Sequence, residues 1–252
     1  MTKDDLVRLA LEVTGLSETK WNALFETLKD DAAMNSVMRG DWTGAPRESE
    51  QAIREYYRKS DIWFANTWSH GVGALIRMAD FGWPEPLRPW QETFVKDFKI
   101  AGRILDYGGG FLNDTYPFVT SGYRVTLAEV KGPVTEYLKR YLKLAKLKDH
   151  VDVIEVDSDA PLSEKYSGVV CFETLEHLLK PLEMVDHFHA HLVSGQPFAF
   201  SVSFGDTPHA PYHVARNAYL GNEQIFSSKL ELAGFLRHWK DANHHFQIWR
   251  KV

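Results

Sequence analysis

The stretch Arg103-Ile104-Leu105-Asp106-Tyr107-Gly108-Gly109-Gly110 decides the fold class of this chain. A short apolar run that ends in consecutive glycines is typical of a buried β-strand followed by a tight turn, where the backbone must come close to another group. A dinucleotide-binding turn would place a third glycine at Asn113 and a pyrophosphate at the start of the following helix. The carboxylate of Asp106 would repel that pyrophosphate. We therefore expect a ligand that carries a cationic amino group instead.

Short apolar runs alternate with helical patterns over the rest of the chain. The predicted strands are 102–107, 123–129, 151–156, 168–173 and 197–204, and the predicted helices lie near 113–121, 133–148, 179–193 and 222–233. Two further strand-like runs, 235–241 and 245–251, are close enough in sequence to form a hairpin. This alternation predicts a parallel sheet with crossover helices, which binds its ligand beyond the carboxyl ends of the strands.

The first part of the chain has a different character. Apolar residues recur at helical spacing near the N-terminus and again over 48–80, with a predicted loop at 40–46 between them. Pro84, Pro86 and Pro89 then interrupt the helical pattern. We predict two regions: a helical region over 1–97 and an α/β core over 98–252.

Composition excludes several classes of protein. The 252 residues carry a formal net charge of −5, which argues against non-specific nucleic-acid binding because such binding depends on neutralising phosphates. The single cysteine, Cys171, excludes intrachain disulfides and a cysteine-rich zinc site. No run approaches the roughly twenty apolar residues of a membrane span, and the N-terminal residues lack an apolar signal core. We expect a cytoplasmic protein without a membrane partner, and its aromatic N-terminal helices could form a homodimer.

Carboxylates follow four of the predicted strands. Asp106 ends the first strand, Glu129 the second, Asp157 the third and Glu173 the fourth. Because the carboxyl ends of parallel strands meet at one edge of a sheet, we expect these acids to face one ligand. An acid about twenty residues past the glycine turn can accept hydrogen bonds from a ribose diol. The set predicts a ligand with an amine, a ribose and an adenine amino group, and without phosphate.

The ordered set of motifs over 98–252 resembles the class I S-adenosylmethionine-dependent methyltransferases. Residues 105–110 are similar to the first motif of that family, L-D-x-G-x-G, and 169–181 contain its Leu-Glu-His signature. The segment 213–235 looks like the later helix of the family. A third glycine is common where this chain has Leu112, so we expect a wider or differently packed turn. The resemblance implies an α/β, Rossmann-like, seven-stranded sheet with the last strand antiparallel, and an N-terminal all-helical lid.

The same resemblance implies S-adenosyl-L-methionine as the cofactor. Glu129 would bind the ribose, Asp157 and Ser158 would lie at the adenine, and Glu173 near the methionine end. The implied cofactor contacts are Asp106, Tyr107, Gly108, Gly110, Glu129, Val130, Asp157, Ser158, Phe172, Glu173 and Tyr57. In the lid, Tyr56 or Tyr57 could close over the methionine end and Arg58 could meet its carboxylate.

Histidines are the candidate catalytic residues, because a base is needed only where the acceptor must lose a proton. His177 follows the fourth strand, and His209 and His213 lie in a proline-stiffened loop after the fifth. A metal alternative also exists, since Glu173, Glu176, His177 and His213 resemble the metal-binding pattern of small-RNA 3′-terminal 2′-O-methyltransferases. Such ligands suit magnesium or manganese.

A second histidine cluster lies in the helix near 179–193. His187 and His191 are four residues apart, a spacing that can bind zinc. We expect this helix to flank the sheet far from the cofactor edge, which favours a polar outer face for His187, His189 and His191.

The function that we expect is S-adenosylmethionine-dependent methylation of a small-molecule acceptor at oxygen or nitrogen. Two alternatives stay open. One is a metal-assisted RNA 3′-terminal 2′-O-methyltransferase, and the other is a non-catalytic methyltransferase-like partner protein. A metal ion at the glutamate–histidine set would favour the first, and loss of cofactor affinity would favour the second.

Overall fold

The computed structural model describes residues 1–28, 49–79, 86–156, 162, 164–204, 214–241 and 246–252. The described helices are α1 (Lys3–Thr14), α2 (Glu18–Leu28), α3 (Glu50–Lys59), α4 (Asp61–Ala79), α5 (Pro89–Asp97), α6 (Tyr116–Thr120), α7 (Pro133–Leu144), α8 (Pro181–His191) and α9 (Glu223–Leu232). Two 3-10 segments lie at Leu175–His177 and Ala215–Gly221. The strands are β1 (Ile104–Tyr107), β2 (Val125–Val130), β3 (Val151–Val156), β4 (Gly168–Phe172), β5 (Pro197–Ser201), β6 (Phe235–Lys240) and β7 (Gln247–Lys251).

The seven strands form one sheet in the order β3-β2-β1-β4-β5-β7-β6. The pairs from β3 to β5 are parallel, whereas β7 is antiparallel to both of its neighbours. This topology confirms the predicted fold class. The strand order reverses at β1, where β2 lies on one side and β4 on the other, so the glycine turn after β1 lies at the switch point of the sheet.

Two separate cores cover the two faces of the sheet, because successive strand residues point to opposite sides. Ile104 belongs to the first core with α6, α7 and the N-terminal helices, and Leu105 belongs to the second core with α8 and α9. Both residues are fully buried. A parallel sheet with both faces covered has continuously apolar strands, and the four residues of β1 are all buried accordingly.

Most of the N-terminal helices share the first core with the sheet. The hydroxyl of Tyr137 on α7 donates to the carbonyl of Leu6 on α1 at 3.3 Å, and that of Tyr141 donates to the carbonyl of Leu75 on α4 at 2.6 Å. Gly71 on α4 lies so close to Phe111 that a Cβ at position 71 would overlap its side chain. The N-terminal helices are therefore closely packed against the α/β core. The division at 97/98 stays a prediction.

The helix predicted over 48–80 is two helices, α3 and α4, that meet at Ser60. The hydroxyl of Ser60 accepts a hydrogen bond from the amide of Trp63 at 3.0 Å, which satisfies one of the free donors at the start of α4. Ile53 and Tyr56 of α3 form a small third cluster outside both main cores. Among the helices of the described residues, none combines the length and the apolar character that a bilayer crossing requires.

Candidate active site

A cavity of about 90 Å³ lies at the carboxyl edge of the sheet. Its lining comes from the ends of β1, β2, β3 and β4, from the segment after β4, and from helices α3 and α4. The lining residues are Tyr57, Trp63, Tyr107, Gly108, Ala128, Glu129, Val130, Val156, Glu173, Thr174, His177 and Leu178. A neighbouring cavity of about 260 Å³ shares half of these residues and extends between α3 and α8. The sheet thus brings Glu129 and Glu173, predicted from separate strands, into one cavity.

The glycine turn is shaped by protein groups as well as by any ligand. Gly108 and Gly110 have φ of +73° and +50°, a region that glycine tolerates best. A Cβ at Gly108 would overlap the side chain of Thr174, and one at Gly109 would overlap the carboxylate of Asp106. Leu112 adopts φ +68° and is fully buried, so a leucine here takes a left-handed conformation that favours glycine. The turn keeps its backbone shape at the cost of local strain.

Asp106 lies inside the turn. Its carboxylate is 1% exposed and accepts a hydrogen bond from the hydroxyl of Thr115. Burial raises the pKa of Asp106 to about 7; the Thr115 hydrogen bond lowers it in part, and the charges of Asp114 and Glu129 raise it further. Asp106 is not among the described residues that line either cavity. This placement fits a group that organises the turn, whereas the sequence predicted an anion facing the ligand.

Glu129 connects the end of β2 to the glycine turn. One carboxylate oxygen accepts a hydrogen bond from the amide of Gly110 at 3.1 Å, and the other accepts from the amide of Val130 at 2.8 Å. Burial raises the pKa of Glu129, and these two hydrogen bonds oppose that shift. Because each carboxylate oxygen can accept more than one hydrogen bond, the group can still accept hydroxyl donors from the cavity that it lines.

Glu173, at the end of β4, has an unusual backbone. Its φ is +44°, its amide donates to the carbonyl of Ser201 at 3.1 Å, and its side chain is exposed toward the cavity. Glu176 lies behind it, fully buried, and accepts a hydrogen bond from the amide of Ser203 at 3.3 Å. Burial and the neighbouring Glu173 hold the pKa of Glu176 well above its usual range.

Three ring side chains, Tyr57, Trp63 and His177, form an aromatic wall on the same cavity. The ring centroids of Tyr57 and Trp63 are 4.7 Å apart, and those of Trp63 and His177 are 5.9 Å apart with the rings nearly perpendicular. Tyr57 comes from α3, Trp63 from α4 and His177 from the 3-10 segment after β4. The faces of such rings attract cations, so the wall and the carboxylates favour a positively charged ligand.

Asp114 is a site-neighbouring acid that sequence reasoning missed. Arg88 pairs with its carboxylate at 2.7 Å, and the side chain of Gln91 donates to its carbonyl at 2.9 Å. Burial raises the pKa of Asp114, Arg88 lowers it, and the charge of Glu173 raises it. No motif contains Asp114, and its partner is 26 residues away in sequence. Only the folded chain brings Arg88 to this turn.

Several predicted residues lie elsewhere. Phe172 packs against Trp90 and Phe246 with ring centroids 4.6 and 5.3 Å away, on the first face of the sheet. In the lid, Arg58 donates to the carbonyl of Lys131 at 3.0 Å, and Tyr56 is buried in the third cluster. Tyr107 and Val130 line both cavities, and their role as cofactor contacts stays a prediction. The predicted residues outside the described ranges are Asp157, Ser158, His209 and His213.

A family model described as "Methyltransferase domain" matches residues 83–251. The chain belongs to the class I S-adenosylmethionine-dependent methyltransferases. The match spans the sheet, the glycine turn and every carboxylate of the site. It makes the protein an enzyme, so the alternative of a non-catalytic partner is not supported. A search of curated protein sequences gives no match.

Solved methyltransferases share the fold of this enzyme. An O-methyltransferase family protein from Burkholderia thailandensis superposes with a TM-score of 0.58 at 12% identity, covering 88% of this chain and 71% of that one. Mitomycin 7-O-methyltransferase MmcR superposes with a TM-score of 0.54 at 14% identity, covering 92% of this chain and 67% of that one. The glycopeptide N-methyltransferase MtfA complexed with sinefungin superposes with a TM-score of 0.50 at 15% identity, covering 65% of this chain and 85% of that one. At such identities the likeness establishes the fold alone.

The residues of this methyltransferase fit its cofactor chemically. S-adenosylmethionine carries a positive sulfur, an ammonium group and a ribose diol. The cavity presents two carboxylates, Glu129 and Glu173, together with the aromatic wall, and the described lining includes no lysine or arginine. The two carboxylates of this cavity would repel a phosphate-bearing ligand.

Helix α8 carries the second histidine cluster and was predicted to lie far from the cofactor edge. For His187 this prediction is wrong. Its ring lines the larger cavity beside Met184 of α8, and its Nε2 accepts a hydrogen bond from the amide of Leu162 at 3.1 Å. Burial lowers the pKa of His187, and the nearby His191 lowers it further. Three residues separate α8 from the 3-10 segment after β4, so α8 begins close to the carboxyl edge of the sheet.

The metal alternative receives no support from the part of the chain that the structure describes. Within those ranges, no group of three or more histidine, cysteine or carboxylate side chains is arranged to hold a metal ion. Because His209 and His213 lie outside the described residues, this alternative stays a prediction.

Proposed function

We propose that this enzyme transfers the methyl group of S-adenosylmethionine to an oxygen or nitrogen atom of a small-molecule acceptor. The observation that supports this most is the joint lining of one cavity by Glu129, Glu173 and the aromatic wall. The O- and N-methyltransferases among its structural neighbours agree with this class of acceptor. The net charge of −5 argues against a nucleic-acid acceptor.

In this proposal each side chain has one task. Glu129 accepts hydrogen bonds from the ribose hydroxyls, and Glu173 binds the ammonium group at the methionine end. The aromatic wall keeps water from the positive sulfur and stabilises its charge. Asp106 supports the turn from within, through Thr115.

The cofactor supplies a methyl carbon that its positive sulfur already activates, so positioning provides much of the catalysis. The protein must hold the acceptor atom near that carbon and accept a proton where the acceptor carries one. His177 is the described histidine that lines both cavities, which makes it our candidate for the proton acceptor.

Calorimetric titration with S-adenosylmethionine and S-adenosylhomocysteine tests the cofactor part of the proposal. Glu129→Ala should weaken binding of both ligands by about tenfold or more, because two hydrogen bonds to a charged group are lost. The matched control is Glu155→Ala. Glu155 faces Glu129 in the β2–β3 register, but it pairs with Lys139 at 2.8 Å and does not line the cavities. Equal loss in both variants, or no binding by the wild type, would refute the assignment.

The acceptor is tested by measuring S-adenosylhomocysteine release with panels of phenols, amines and short RNA 3′ ends, with and without magnesium. The proposal expects turnover only with members of the two small-molecule panels, unaffected by magnesium. His177→Asn should lower kcat for phenols by about 100-fold or more, since general base catalysis contributes about that much. Magnesium-dependent turnover of RNA ends alone would replace our proposal by the RNA alternative.

A further inference from the structure

His187 lines the larger cavity, and the proposed roles assign it nothing. It lies on α8, about one helical turn after Met184, and both side chains line the cavity of about 260 Å³. Glu183 lines the same cavity, so one face of α8 forms part of its wall. The ring of His187 is half-buried. A polar ring in the wall of a cavity can contact whatever ligand the cavity holds.

A hydrogen bond from Leu162 decides which nitrogen of His187 carries the proton. The amide of Leu162 donates to Nε2 at 3.1 Å, and because a backbone amide can only donate, Nε2 must hold a lone pair. The neutral ring therefore keeps its one proton on Nδ1. Leu162 is 2% exposed and belongs to the second core, which holds this partner in place. Within the described ranges, no other residue forms a hydrogen bond with the ring, so Nδ1 can donate to a ligand.

The larger cavity is where the base of the cofactor fits. The smaller cavity of about 90 Å³ contains Glu129 and Glu173, but pockets for ligands of drug size measure about 300–1,000 Å³, so part of the cofactor must lie elsewhere. Glu173 and Trp63 do not line the larger cavity, which therefore extends away from the methionine end. Val130 follows the proposed ribose ligand Glu129 and lines both cavities. Since the adenine is attached to the ribose on the side opposite the sulfur, it would enter the larger cavity.

The lining of the larger cavity matches the chemistry of that base. Ile53, Val156, Leu178 and Met184 offer apolar side chains to the faces of a flat ring, and a thioether packs well against such faces. The edge of adenine carries three ring nitrogens, N1, N3 and N7, which are hydrogen-bond acceptors. The proton on Nδ1 of His187 is the complementary donor.

We infer that His187 is a specificity-determining residue that donates a hydrogen bond from Nδ1 to a ring nitrogen of the cofactor's adenine. The hydrogen bond from Leu162 orients the ring and fixes its donor. The inference rests on the proposed function, because it takes S-adenosylmethionine as the ligand that spans both cavities.

The test is a binding cycle that changes one atom of the ligand and one side chain of the protein. Calorimetry measures S-adenosylhomocysteine and its 1-deaza, 3-deaza and 7-deaza analogues, each of which replaces one ring nitrogen by C–H. With the full-length wild type, we expect at least one analogue to bind about tenfold more weakly than S-adenosylhomocysteine, because the Nδ1 donor loses its acceptor. In His187→Phe this difference should fall below about twofold, since the donor is absent.

His191→Phe is the matched control. His191 lies one turn further along α8 with its ring centroid 4.7 Å from that of His187, but it does not line the cavity, and its Nδ1 bonds to the carbonyl of Glu164 at 3.0 Å. This variant should keep the wild-type difference between the ligands. If His187→Phe does not fold, His187→Ser takes its place, because it adds no bulk and also lacks the ring donor.

Three results would overturn the role of His187: equal affinity of the wild type for all four ligands, an unchanged difference in His187→Phe, or loss of the difference in His191→Phe as well. A residue that only holds the Leu162 segment would weaken all four ligands equally and leave their ratios unchanged. These results leave the proposed function intact as long as the wild type binds S-adenosylhomocysteine. A folded wild type that binds neither it nor S-adenosylmethionine would refute the proposed function and this inference together.

Discussion

Two residues beside the candidate site have side chains and yet hold backbone conformations that favour glycine. Leu112 at φ +68° and Glu173 at φ +44° both lie at the carboxyl edge of the sheet, after β1 and β4 respectively. Leu112 is fully buried, and the apolar contacts of its side chain offset its strain. Glu173 is exposed toward the cavity and has no such burial. At Glu173 the strain is therefore consistent with a demand of the site and not of the core.

Replacing Glu173 should reveal this trade between stability and function. Glu173→Gly should raise the free energy of unfolding by up to about 1 kcal/mol, because glycine removes the left-handed strain. It should also abolish the binding of S-adenosylmethionine. Urea denaturation measures the first effect, with Glu136→Gly on the exposed face of α7 as the control, which should lower stability by about 1 kcal/mol. A loss of stability in both variants would contradict the strain assignment.

The buried Asp106 should give stability a defined pH dependence. Its pKa is raised from 3.8 to about 7, so the unfolded chain releases this proton near pH 4 and the folded protein near pH 7. Between these values the unfolded state binds fewer protons. Stability from this group therefore falls as the pH rises, by about 1.4 kcal/mol per pH unit, and levels off above the folded pKa.

Asp106→Asn isolates that contribution, because the amide oxygen can still accept the Thr115 hydroxyl. We expect the variant to gain stability relative to the wild type as the pH rises from 4 to 7, with a constant difference at higher pH. Urea unfolding at pH 5, 6, 7 and 8 provides the measurement. A difference that does not change with pH would show that Asp106 is already ionised in the folded protein.

At the scale of elements, the site depends on short segments brought from both halves of the chain. The N-terminal helices α3 and α4 contribute Tyr57 and Trp63, and the segment after β4 contributes His177. The break at Ser60 separates α3 from α4, and both rings lie within three residues of this break. Ser60 has an extended backbone (φ −75°, ψ 109°) that interrupts the helical path, and the rings on its two sides meet at the cavity.

Trp63 should distinguish the charged cofactor from its uncharged product. Trp63→Leu should weaken the binding of both ligands, and the loss of affinity should be about threefold to tenfold larger for S-adenosylmethionine than for S-adenosylhomocysteine. The reason is that only S-adenosylmethionine offers a positive sulfur to the ring face. Trp63→Phe keeps a ring and should retain most of this preference. Titration of both ligands into both variants gives the ratio. The same ratio in Trp63→Leu and in the wild type would exclude a cation–π contribution.

At the scale of the whole molecule, the N-terminal helices and the sheet behave as one packed unit. Leu6, Trp21 and Trp68 belong to the same core as Ile104 of β1. The carboxyl edge then collects Asp106, Asp114, Glu129, Glu173 and Glu176. Burial raises the pKa of Asp106, Asp114 and Glu176, and repulsion between neighbouring carboxylates raises it further. The core stabilises the fold against this repulsion, and a cationic ligand would relieve it.

A shared core predicts cooperative unfolding. The urea transitions followed by tryptophan fluorescence and by far-UV circular dichroism should coincide, because three buried tryptophans lie in the N-terminal helices and Trp249 lies in the sheet. Tyr141→Phe removes the hydrogen bond to Leu75 and should shift both transitions together, by about 1 kcal/mol. Two separated transitions would mean that the helical region unfolds independently.

The sequence by itself determined the order and type of the elements and the acids that follow the strands. The period of apolar residues and the glycine turn are local properties, so β1 to β7 were predicted within a few residues, and Glu129 and Glu173 reached one cavity as expected. Only the tertiary structure decided where individual side chains point. It buried Asp106, turned Phe172 to the opposite face, brought Arg88 to Asp114 and placed His187 beside the site. Those outcomes depend on packing between segments far apart in sequence, which no local pattern contains.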